Sequence, residues 1–128
     1  MVEKVVPKEI KLNKKEGSLY LNYEKIGSFL LSGEYLRVNS PSAEVKGHGK
    51  GQGILQDGKK FVKITAVESI GNYAVRLTFS DTHNSGIYSW NFLYNLAVNY
   101  DSYWNNYLDA LNNTGKYRDP NRRTIRLV

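Results

Sequence analysis

At 128 residues, with 41% apolar and 23% charged side chains, the chain has the make-up of one globular domain and too few residues for two hydrophobic cores. It contains no cysteine, which excludes disulfides, thiol nucleophiles and zinc held by cysteine. The net charge of +6 is spread along the chain, no apolar run approaches the about 20 residues of a membrane helix, and the charged N-terminus lacks a signal-peptide pattern, so a cytoplasmic location without membrane association is expected.

Residues Glu9 to Asn13 and Ser18 to Glu24 alternate apolar and polar side chains, as half-buried strands do, and the charged, glycine-ended link from Lys14 to Gly17 predicts a hairpin. A short apolar piece, Ile26 to Leu31, leads to Gly33. Glu34 to Val38 reads as a helical turn capped by Ser32, with Tyr35 and Leu36 on its buried side. Periodicity then disappears from Asn39 to Gly58, where Ser, Pro, Gly and Lys dominate. So long a loop is uncommon in a compact domain, which makes it the first place to seek a site.

Alternation returns at Lys60 to Ile70, with Val62, Ile64 and Ala66 on one side, and at Tyr73 to Phe79, with Tyr73, Val75, Leu77 and Phe79 on one face. Gly71 and Asn72 suit a tight turn between them. Asp81 to Gly86 reads as a second turn before a short strand at Ile87 and Tyr88. Ser89 and Asp101 are the expected caps of two aromatic-rich helices, Trp90 to Tyr100 and Ser102 to Asn113, and Gly115 is the expected stop. Strands first and helices last predict an α+β fold, an antiparallel sheet with two C-terminal helices packed on one face. The domain is expected to span residues 1–117, and residues 118–128, rich in arginine and containing Pro120, to form a basic, flexible tail.

The two histidines, His48 and His83, leave little for acid–base or nucleophilic catalysis, and the chain does not read as an enzyme. Ser80, Asp81 and His83 are the residue types of a hydrolase triad, but in an extended strand Ser80 points away from the other two. The glycine run from Lys46 to Gly53 matches neither G-x-x-x-x-G-K-[ST] nor G-x-G-x-x-G. Asp81 and His83 leave an extended segment on the same side, and with His48 they would supply the two imidazoles and one carboxylate of a mononuclear iron site. The competing reading makes Asp81 a turn residue bonded to local backbone and His83 a satisfied polar side chain. The aromatic stripe from Trp90 to Tyr107 reads mainly as core packing, although Trp and Tyr also dominate binding hot spots.

Three segments, Tyr35-Leu-Arg-Val-Asn-Ser-Pro-Ser-Ala-Glu44, Gly71-Asn-Tyr-Ala74 and Ser80-Asp-Thr-His-Asn-Ser-Gly-Ile-Tyr-Ser-Trp90, together resemble the family of domains similar to the N-terminal domain of gamma-butyrobetaine hydroxylase. The resemblance runs from Pro7 to Leu111 and is carried most specifically by the last segment, where turn, histidine, glycine, aromatic pair and helix cap follow the family's order. It implies an accessory module. In the hydroxylases the domain precedes the catalytic oxygenase domain, and in plastid P-loop iron–sulfur scaffold proteins a similar domain follows the ATPase. The hydroxylase version holds zinc through three cysteines and one histidine; the matching positions here are Ser40, Ser42, Val45 and His83, so that zinc site is not carried over. Thr82 stands where the family usually has glycine, and the chain looks like the stand-alone bacterial branch.

A shared backbone would bring the loop Asn39 to Gly53 beside the turn Asp81 to Gly86, with His83 near Ser40 or Ser42 and hydroxyl hydrogen bonds in place of a metal. Ser40, Ser42, Glu44, Tyr88 and Trp90 are the expected binding residues. The expected function is a small, non-catalytic accessory or protein-interaction module, serving iron or iron–sulfur proteins by analogy with the fused relatives. The alternative is direct iron binding through His48, Asp81 and His83; nucleic-acid binding, suggested by the positive charge, ranks third.

Overall fold

The computed structural model describes residues 5–42, 45 and 54–122. Strands β1 (Glu9–Asn13), β2 (Ser18–Tyr23) and β3 (Gly27–Leu31) form an antiparallel meander, followed by the short helix α1 (Gly33–Val38). A second antiparallel meander consists of β4 (Ile64–Ile70), β5 (Ala74–Phe79) and β6 (Ile87–Ser89), and the helices α2 (Trp90–Val98) and α3 (Tyr100–Thr114) follow it. The antiparallel pairing and the helix order agree with the sequence. The strands form two three-stranded sheets, separated in sequence by α1 and residues 39–63.

Alternation along β2 and β5 turns Leu19, Leu21 and Tyr23 from one sheet, and Val75, Leu77 and Phe79 from the other, into one core where each is at most 2% exposed. Tyr35 and Leu36 of α1, Tyr88 of β6, and Leu93 and Leu96 of α2 complete it. Burying each such side chain stabilises the fold by about 1.5–3 kcal/mol. The sheets meet at Gly17, whose carbonyl accepts the Ile64 N–H at 2.9 Å. A Cβ at Gly17 would fall 2.1 Å from Lys63 Cβ, and its φ of +69° is itself a left-handed value, so the hairpin link ends in glycine for two reasons.

Two expectations for the second sheet fail for local reasons. Ile64 pairs with Phe79 but Ala66 pairs with Thr78, so a bulge at Thr65 breaks the alternation; Ile64 is buried while Ala66 is exposed. Tyr73 belongs to the turn before β5, and its ring is 52% exposed. Ser32 and Ser89 cap α1 and α2 as expected, accepting from the N–H groups of Tyr35 at 3.0 Å and Phe92 at 3.2 Å. Asp101 is not a cap. Asn99 ends α2 and opens α3 at once, its side-chain amide donating back to the Asn95 carbonyl, and Asp101 lies in the first turn of α3, where its charge faces the positive helix end. Gly115 closes α3 at φ 68°.

The segment after α3 is docked further than the sequence suggests. Gly58 N–H donates to the Tyr117 carbonyl at 2.8 Å and Lys60 N–H to the Arg118 carbonyl at 3.0 Å. Arg118, expected to open the flexible tail, instead donates through Nε and Nη2 to both oxygens of Glu34, at 2.8 and 2.7 Å, and its guanidinium lies 4.9 Å from the Trp104 ring centroid. Residues 123–128 lie outside the described residues.

Glu34 is only 4% exposed, so among the described residues its carboxylate depends on Arg118. Arg118→Ala is expected to cost about 2 kcal/mol in urea unfolding, less than a fully buried pair because the arginine keeps some solvent contact. A loss below about 0.5 kcal/mol would show an ordinary surface ion pair.

Candidate functional site

Where α1 ends, the backbone turns at Asn39 and delivers Ser40 into the interior; where β5 ends, a tight turn delivers His83 to the same place. Phe79 and His83 close that turn, the Phe79 N–H donating to the His83 carbonyl at 2.9 Å. Ser40 Oγ and His83 Nε2 then lie 2.9 Å apart across 43 positions of sequence, with Ser40 0% and His83 6% exposed. The expected approach of His83 to Ser40 is therefore present, while residues 43, 44 and 46–53 of the expected loop lie outside the described residues. Ser42 N–H also donates to Ser40 Oγ at 3.3 Å, and the Ser42 and Ser85 hydroxyls are 2.8 Å apart. Gly86 admits this packing, since a Cβ there would sit 2.6 Å from Ser40 Oγ.

Asp81 anchors the outer side of the turn. Its Oδ2 accepts from Arg37 Nε at 2.8 Å and from Lys59 Nζ at 3.0 Å, and its Oδ1 accepts the His83 N–H at 3.3 Å. Burial by itself raises the pKa of this carboxyl, but the hydrogen bonds from Lys59 and Arg37, the Arg37 charge and the His83 N–H together hold it below the usual carboxylate range. Arg37 is 7% exposed, and its Nη1 is buried without a hydrogen-bond partner among the described residues. Two cations to one carboxylate make this a place that repels a metal cation.

The residues standing at the zinc positions of the hydroxylase version do not fit zinc. Ser40 and Ser42 present hydroxyls bonded to neighbours, Val45 presents a hydrocarbon, and the His83 Nε2 is hydrogen-bonded to Ser40. For iron, Asp81 and His83 are neighbours but the carboxylate is occupied by Arg37 and Lys59; His48 lies outside the described residues. Among the described residues no three His, Cys, Asp or Glu side chains gather as a metal-binding group.

Of the expected binding residues, Glu44 lies outside the described residues, and Ser40 and Ser42 are buried parts of this hydrogen-bonded knot. Tyr88 is a core residue, 0% exposed, its hydroxyl donating to the Leu36 carbonyl at 2.6 Å and held strongly protonated by burial. Trp90 is half-buried, and its indole N–H donates to the Asn72 carbonyl at 2.8 Å. Beside the knot a cleft of about 580 Å³ opens between α1, α2 and α3, with Ser40 on its wall and no Asp, Glu, Lys or Arg among its described lining residues. Its polar groups bond one another, Asn95 Nδ2 to Tyr103 OH at 2.8 Å and Tyr107 OH to the Gln56 carbonyl at 2.7 Å. Sequence reasoning missed Arg37 and Lys59, which look like ordinary solvent-facing cations until the fold sets Asp81 between them.

The sequence model of the family described as gamma-butyrobetaine hydroxylase-like, N-terminal, matches residues 10–94. A protein solved in solution by NMR is 43% identical, with a TM-score of 0.84 and 98% of each chain covered. A second NMR structure is 40% identical, with a TM-score of 0.75, covering 100% of this chain and 98% of that one. The crystal structure of a protein of unknown function from Acidithiobacillus ferrooxidans, assigned to the DUF971 family, is 30% identical with a TM-score of 0.56 over 76% of this chain and 98% of that chain. No curated protein matches the chain. No helix among the described residues is long and apolar enough to cross a membrane.

Ser40→Ala would leave the His83 Nε2 and the Ser42 N–H without their shared partner in a buried site, and is expected to cost about 2 kcal/mol by chemical denaturation. Thr82 holds a left-handed φ of 70°, a value that strains a β-branched residue. Thr82→Gly is therefore expected to stabilise the protein by about 0.5–1 kcal/mol, the relief of strain exceeding the entropy lost by glycine. A lowered melting temperature in that variant would show the hydroxyl or methyl making a contact worth more than the strain.

Proposed function

Because the chain belongs to the gamma-butyrobetaine hydroxylase-like N-terminal domain family, we propose that it is a non-catalytic accessory module that acts by binding another protein. The observation that carries this reading is the closed state of the knot around His83. The imidazole is buried against Ser40, and Asp81 is held between two cations, so neither is poised as an acid, base or ligand toward a substrate. An accessory module without such a centre works through its surface. The partner class follows from the resemblance to domains joined to an oxygenase and to an iron–sulfur scaffold ATPase: proteins that handle iron or iron–sulfur clusters.

Affinity capture of the tagged chain from extract of its own cells, with cross-linking and mass spectrometry, tests this. One protein recovered in stoichiometric amount, itself carrying iron, is the expected result, with metal in the purified chain far below one atom per molecule. Recovery of a partner without iron would overturn the partner class alone. Failure to recover any stoichiometric partner, or a full equivalent of metal in the isolated chain, would overturn the module reading.

A further inference from the structure

Phe61 is 57% exposed in the turn that precedes β4, between Lys60 and a half-buried Val62. Exposed by itself such a ring is ordinary, and what sets this one apart is the group of cations on the clefts beside it. Two clefts, of about 380 and 480 Å³, adjoin this turn, and Lys60 and Arg118 wall both. Lys116 and Arg122 add two further exposed cations to the first cleft, and Lys63 one to the second. Lys60, Lys116 and Arg122 form no ion pair with a described residue. The acids nearby are fewer: Asp119 in one cleft, with Asp57 on the adjoining surface beside Lys116 and Arg122, and Glu16 and Glu34 in the other, where Glu34 is already neutralised by Arg118.

We propose that these two adjoining clefts, one walled by Phe61 and the other by Lys116 and Arg122, with Lys60 and Arg118 shared between them, dock an extended acidic segment of a partner protein that seats an apolar side chain against Phe61. The proposal rests on the reading of the chain as a protein-binding module and names the surface and the chemistry of its partner. Three of the cations rest against rings before any partner arrives: Arg118 lies 4.9 Å from the Trp104 ring, Arg122 lies 4.7 Å from the Tyr117 ring and Lys60 lies 5.5 Å from the Phe61 ring. The paired backbone segments 58–60 and 117–118 fix the spacing between them. Holding long side chains in advance lowers the ordering cost of binding, and separate carboxylates can each take one cation.

The same cation–ring contacts argue against a single-stranded nucleic acid. Binding of that kind needs several aromatic faces on which successive bases stack, and here the rings of Trp104 and Tyr117 each carry an arginine of the chain itself, while among the described aromatic residues of the two clefts Phe61 alone is exposed. Asp119 and Glu16 also interrupt the positive surface where a phosphate backbone would have to run.

A synthetic peptide of Glu-Glu-Leu repeats, titrated into the ¹⁵N-labelled chain, tests the surface, with oligothymidylate as the comparison. Expected are amide shifts confined to residues 57–63 and 115–122, and an affinity that falls about tenfold in Phe61→Ser and in the double variant Lys60→Glu/Arg122→Glu. Leu30→Ser, an exposed position on β3, is the control and should bind as the parent chain does. Shifts mapping elsewhere, no binding of the peptide, or tighter binding of oligothymidylate would overturn the proposal. Repeating the extract capture with these variants separates the two claims. A partner lost with Phe61→Ser and kept with Leu30→Ser supports the surface, and one kept by all variants overturns the surface while leaving the module reading intact. The parent chain capturing nothing removes both.

Discussion

The 2.9 Å hydrogen bond between Ser40 Oγ and His83 Nε2 ties the end of α1 to the turn after β5, and the placement of much else depends on it. The inner faces of the two three-stranded sheets share one core, which residues of α1 and α2 complete. Around the bond, Gly86 gives up its side chain so that Ser40 can approach, and Tyr88 spans to the Leu36 carbonyl on the other side of the same junction. A buried polar junction of this kind is demanding, because each group left unpaired costs more than a pair contributes. Thr82 accepts a left-handed backbone within it, which shows that the turn geometry is imposed by the junction rather than by the preference of the residue.

Helix α1 has six residues and buries its two charged ones. Glu34 at its first turn is met by Arg118 from beyond α3, and Arg37 at its last turn is met by Asp81 from the turn after β5. A helix this short has little stability alone, so its position is set by ion pairs at both ends and by Tyr35 and Leu36 between them. Tyr35 also donates its hydroxyl to the Leu96 carbonyl at 2.6 Å and packs its ring near Tyr100 and Trp104, which links α1 to both later helices. The aromatic residues of α2 and α3 thus serve mainly as the layer that covers α1 and the sheets.

In the zinc-bearing branch that the sequence resembles, the same positions hold a metal; here hydroxyls and an imidazole hold one another. The exchange keeps the connection between the two segments and removes the metal's ligands. On the outer surface, the docked residues 115–122 bring Lys116, Arg118 and Arg122 to clefts that they share with Lys60, a residue far away in sequence.

Sequence alone determined the strand alternation of β1, β2 and β5, the serine caps of α1 and α2, the glycine stop of α3 and the likeness that placed Ser40 opposite His83, because these depend on local period, capping chemistry or a matched segment. It did not reveal the bulge at Thr65, since the apolar period of Val62, Ile64 and Ala66 is the same with or without an extra residue opposite β5. It assigned Arg118 to a loose tail and passed over Arg37 and Lys59, because a cation shows its partner only when the fold brings a distant carboxylate within about 3 Å. Tyr88 looked like a binding residue for the same reason, an aromatic side chain with a polar tip whose partner, the Leu36 carbonyl, lies 52 positions away. Pairings over such separations belong to the tertiary structure, where burial decides which polar groups must meet.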